Sequence, residues 1–184
     1  MHRLLLSLLA LSACSLHAQP TVTAWPEFSC SDDAVVITFV ELSICTSSAT
    51  YNKVAVLAGS TPTIVFEHGD KRFDALSYES ADKALSGLPA RLELANGRQA
   101  LDALFSWRDS SINQQALLQV FGIDAETQLR QFTKGDVAAY MRVNEGAADN
   151  TVFIIIGDSG SVYRLIGNFN KAHVQQWLSL LKVN

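Results

Sequence analysis

The sequence predicts an α+β fold: an antiparallel sheet, made of a C-terminal three-stranded meander and an upstream hairpin, packed by helices and closed by a C-terminal helix. Three features of the chain lead there. Val137 to Val143, Thr151 to Ile156 and Val162 to Ile166 are β-rich runs joined by connectors too short for parallel crossovers. Thr63 to Glu67 and Arg72 to Tyr78 flank the turn residues His68-Gly69-Asp70-Lys71. Val174, Trp177, Leu178 and Leu181 fall at i, i+3, i+4 and i+7, the stripe of a helix lying on a sheet.

Met1-His2-Arg3 is a short basic start, and Leu4 to Ala13 is apolar apart from Ser7 and Ser12. Such a run is shorter than the roughly 20 residues of a membrane span and fits a secretory leader. Residues 1–18 are therefore expected to be a signal peptide, and 19–184 a single globular domain. Leu11-Ser12-Ala13-Cys14 resembles a bacterial lipoprotein box, which implies cleavage before Cys14 and lipidation of its sulfur. The rival site lies after Ala18. Both readings export the chain; the first adds a lipid anchor at Cys14.

Cys30 and Cys45 remain in either case, and an exported pair in an oxidising compartment is expected to bridge. That bridge conflicts with local propensity. Val35-Val36-Ile37-Thr38-Phe39-Val40 is strand-like. A straight strand from Ala34 to Cys45 would run about 36 Å, whereas the links from Cys30 to Ala34 retrace only about 14 Å. Bridged Cα atoms must lie within about 7 Å. A helix over about 33–45, only about 17 Å long, with Ser31-Asp32-Asp33 at its start, reconciles the two. A bent or broken strand is the other solution.

Lys53 to Ala58 reads as a strand stopped by Gly59-Ser60-Thr61-Pro62. In the hairpin, Phe73, Ala75 and Ser77 face opposite to Asp74, Leu76 and Tyr78. The middle is expected to be helical. Ser80 caps a segment to Ser86, stopped by Gly87 and Pro89. Arg98 to Trp107 follows Gly97; Ser110 or Ser111 caps another helix to Phe121; Asp124 caps a fourth to about Phe132. Val152 to Ile156 is apolar on both faces, which places it inside the sheet. Asn170 caps the closing helix.

Charged residues make up 17% of the chain and the formal net charge is −4. No basic stripe is present, which argues against nucleic acid and, apart from an anchor at Cys14, against a membrane surface. Gly157-Asp158-Ser159-Gly160 resembles the stretch around the nucleophile of trypsin-like serine proteases. Beyond the leader the only histidines are His68 and His173, and neither stands in that family's histidine context, so a hairpin turn is the better reading. His68 neighbours Glu67 and Asp70, a conceivable acid/base pair, although a solvated turn histidine is the plainer reading; His173 belongs at the rim of the last helix. No zinc pattern, calcium loop, phosphate loop or dinucleotide fingerprint occurs, so no catalytic residue, metal site or cofactor is assigned. Trp107 and Trp177 stand at core spacing. Trp25 and Phe169, with His68 and Asp70, are the candidate contacts for a partner, although packing against the domain itself is the favoured role of both aromatic rings.

The function these features support is a non-catalytic, protein-binding domain of the bacterial cell envelope, of inhibitor, immunity or assembly type, whose partner is another envelope or secreted protein. The alternative is a small carboxylate-dependent envelope hydrolase, which requires a cleft with two convergent acids.

Overall fold

β-Pairing reaches much further along the chain than the periodicity suggests. The computed structural model describes residues 21–47, 49–70, 72–106, 121–124 and 126–184. Its strands are β1 (Thr21–Ala24), β2 (Val35–Phe39), β3 (Leu42–Thr46), β4 (Lys53–Leu57), β5 (Thr63–Glu67), β6 (Phe73–Ser80), β7 (Gln128–Lys134), β8 (Val137–Val143), β9 (Asn150–Ile156), β10 (Ser161–Gly167) and β11 (Leu181–Val183). The described helices are α1 (Ala81–Ala84), α2 (Leu88–Arg91), α3 (Gly97–Ser106) and α4 (Lys171–Ser179). The fold is thus mostly β. An eight-stranded mixed sheet runs β1-β7-β8-β9-β10-β6-β5-β4, and a three-stranded antiparallel sheet runs β11-β3-β2.

The meander β8-β9-β10, the hairpin β5-β6, β4, α1, α3 and α4 stand where the sequence puts them, within a residue or two at their ends. Ser80 accepts the N–H of Lys83 at the start of α1, and Asn170 accepts that of His173 at the start of α4. Gly87, at φ 72°, breaks the helix after α1, and Pro89 then opens α2, where a missing N–H costs nothing.

Four expectations are corrected. The segment expected to be a helix over 33–45 is the hairpin β2-β3, reversed at Val40, whose φ is 57°. The fold-back satisfies both demands at once: the β-branched residues stay in strands, and Cys30 and Cys45 form their disulfide with Cα atoms 5.7 Å apart. The helix expected from Asp124 to Phe132 is instead a turn, in which Thr127 Oγ1 donates to Asp124 Oδ1 at 2.8 Å, followed by β7. Partners on both sides, β1 and β8, override the local helical spacing there. The sheet is mixed because β1 lies parallel to β7. Finally, α4 ends at Ser179 and Leu181 begins β11. The helix expected from Ser110 or Ser111, and Trp107, lie outside the described residues.

Two cores occupy the two faces of the large sheet. On one face, Ala138, Tyr140, Phe153, Ile155 and Val162 pack under Leu85, Leu88, Leu101, Leu104 and Phe105 of the α1–α3 segment. On the other, Ile64, Phe66, Leu76, Phe132, Met141, Ile154 and Leu165 pack against Leu42 and Ile44 of β3 and against Val174, Trp177 and Leu178 of α4. Strands β8 to β10 feed both cores; β4, β5 and β6 contribute only to the second.

Candidate functional site

Asp74 is an acid in the inward phase of β6, opposite Phe66 on β5 and Gly167 on β10. It is only 5% exposed, so its carboxylate must find donors inside the protein. Two converge on Oδ2: His68 Nε2 at 2.9 Å and the indole N–H of Trp177 at 3.0 Å. Gly167 makes the arrangement possible, because a side chain there would collide with Asp74 Oδ1 and the ring of Phe169. Tyr51 packs edge-on against His68 and tilts over Phe66, with ring centres 5.0 and 5.1 Å away. Burial, and then the charge of Asp74, push its hydroxyl well above the usual tyrosine range.

Above this knot lies a cavity of about 190 Å³, lined also by Arg72, Asn168, Phe169, His173 and Gln176. The structure therefore brings His68, His173 and Phe169 to one place. The carboxylate beside His68 is that of Asp74, six residues along, and neither Glu67 nor Asp70. Asp70 serves the turn instead. It accepts the Arg72 backbone N–H at 3.1 Å and also the Arg72 guanidinium, which together hold its carboxyl below the usual range. Phe169 is buried, and its carbonyl accepts the side-chain amide of Asn150 at 2.7 Å. Trp25 is half-buried, and its indole N–H donates to the Leu178 carbonyl at 3.0 Å. Both rings pack on the protein's own body. Cys14 lies outside the described residues.

A histidine oriented by a buried carboxylate is half of a general-base arrangement. The other half is missing among the described residues: no hydroxyl or thiol there hydrogen-bonds to the His68 ring. Asp74 is also the only acid among the described lining residues, whereas a carboxylate-pair glycosidase needs two. Ser159 lies in the turn between β9 and β10, where its hydroxyl accepts the N–H of Ser161 at 3.1 Å. Among the described residues no three His, Cys, Asp or Glu gather closely enough to hold a metal ion, and no helix is long and apolar enough to cross a membrane. Through these two bonds Asp74 fastens the β5–β6 turn to α4, as a clasp does.

The second feature is a surface. On the face of β4–β6 that turns away from Asp74, the register stacks the rows Lys53, Glu67, Phe73; Ala55, Val65, Ala75; and Leu57, Thr63, Ser77. No described helix residue joins these strands in a core on that side. Leu57 and Phe73 stand at opposite corners, 54% and 61% exposed, with the small apolar row between them. β4 is also the last strand of the sheet, and Val56 on it is 67% exposed. Sequence reading missed this patch because alternation shows that two faces exist, not which of them is covered.

Comparison with protein-family models, curated proteins and solved structures finds no match for this chain. The disulfide is of a kind formed in oxidising, extracytoplasmic surroundings.

Proposed function

We propose that the chain is an exported bacterial envelope protein that binds another envelope or secreted protein without transforming it, and that it does so on the open edge and bare face of β4–β6. The observation that carries this reading is the edge strand itself. Sheet edges are normally blunted by prolines, bulges, inward charges or a covering element. β4 presents Val56 and Leu57 there, with Lys53 as its one charge. An extended partner segment adds as a ninth strand beside β4 by main-chain hydrogen bonds, its alternate side chains pack beside Leu57, and the rest of the partner lies over Val65 and Phe73. The disulfide supports export. The hydrolase alternative draws no support from a cavity with one acid among its described lining residues.

The test is photo-crosslinking in the native envelope from position 57, with exposed Glu93 on the helical side as control. The expected result is one discrete adduct from position 57, none from position 93, and loss of the adduct in Phe73→Lys. Absence of an adduct at both positions, together with release of fragments from cell-wall polysaccharide, overturns the reading.

A further inference from the structure

We propose a second site, for a small tetrahedral oxyanion such as inorganic phosphate or sulfate, held between Arg142 and Arg164. Arg142 stands on β8 opposite Thr151, and Arg164 on β10 opposite Phe153. The two arginines thus flank β9 diagonally on the helix-covered face. Both line a cavity of about 240 Å³, together with Ser86, Thr151, Phe153 and Asp149.

Their existing bonds leave work undone. Arg142 gives Nη1 to the Phe121 carbonyl and Nη2 to the Asp149 carbonyl at 2.9 Å, so its bonds among the described residues go to neutral acceptors. Among the described residues Arg164 has only the distant carboxylate of Glu79, 3.9 Å from Nη1, which Lys83 also approaches at 3.8 Å. The Nε–H of each arginine is buried and has no acceptor among the described residues. A buried donor left unpaired is costly and calls for an explanation. Two such donors, both on cations and both beside one cavity, are what an oxyanion with several acceptor oxygens satisfies at once. Thr151 and Ser86 add hydroxyl-bearing side chains to the same wall. The Asp149 carboxylate belongs to an exposed residue at the rim.

The probe is inorganic phosphate, added to the full chain and followed by calorimetric titration and by the thermal unfolding midpoint. Chloride at equal ionic strength is the blank, and vesicles of phosphatidylglycerol form a separate arm. The expected result is a saturable phosphate response that chloride does not reproduce. Arg164→Gln should weaken it at least about tenfold. Thr151→Val, which leaves both charges in place, should weaken it by a smaller factor and serves if Arg164→Gln does not fold. No saturable response, an unchanged response in the folded variants, or a response to the vesicles alone would overturn the proposal.

Discussion

The two halves of the large sheet are built from similar residues and treated differently. Strands β8 to β10 are covered on both faces, by α1–α3 on one side and by the small sheet with α4 on the other. Among the described residues, strands β4 to β6 are covered on one face only, and the other side keeps Leu57, Val65 and Phe73. β-Branched and aromatic residues favour a pleated surface, but they do not specify what lies over it. On the reading proposed above, the doubly covered half is the scaffold and the half left bare is the surface offered to a partner.

The largest expected contrast lies between positions on the same face of the two halves. Ile155→Ala, beneath the helices, should cost about 2–5 kcal/mol. Val65→Ala, on the bare side, should cost under about 1 kcal/mol. Denaturant unfolding of both variants measures the contrast, and equal losses would break it. Replacing Cys30 and Cys45 by serine should remove about 3 kcal/mol, and a reductant should shift the wild-type midpoint equally. Gly167 lies where the halves meet, paired with Asp74 across β10 and β6. Gly167→Ala should cost about 1–3 kcal/mol and loosen the clasp, visible as altered Trp177 fluorescence.

Alkaline pH is a gentler test, because buried tyrosines occur in both halves. Burial raises the Tyr163 hydroxyl from 10.0 to about 12, and burial followed by the Asp102 hydrogen bond raises that of Tyr140. An ionisation that is harder in the folded state stabilises folding below the ordinary value and loses that contribution as pH rises. Stability should therefore fall from pH 10.0 toward about 12, in step with phenolate absorbance. The smallest effect is expected of Leu57→Lys. It should alter stability by no more than about 0.5 kcal/mol, yet abolish co-purification of the partner with the full chain.

Strong, local signals made the C-terminal meander, the β5–β6 hairpin and the caps at Ser80 and Asn170 legible in the sequence. What was not legible depended on distant partners. β7 follows a helix-like start at Asp124 and becomes a strand because β1 and β8 pair with it. The β2–β3 hairpin needed one residue, Val40, in a conformation that β-branched side chains rarely adopt, so a helix looked cheaper. At the candidate site, His68 and Trp177 were visible but their common partner was not. Asp74 in phase with Leu76 was the available signal, since an acid in the inward register of a strand requires buried donors.

Amide hydrogen exchange of the chain, alone and bound to the polypeptide captured from position 57, tests the central claim most directly. The account predicts that binding slows exchange in Lys53–Leu57 and Thr63–Glu67 and leaves β8 to β10 unchanged. Slowing confined to α1–α3 or to the His68–Asp74 cavity, with β4 unaltered, would contradict it.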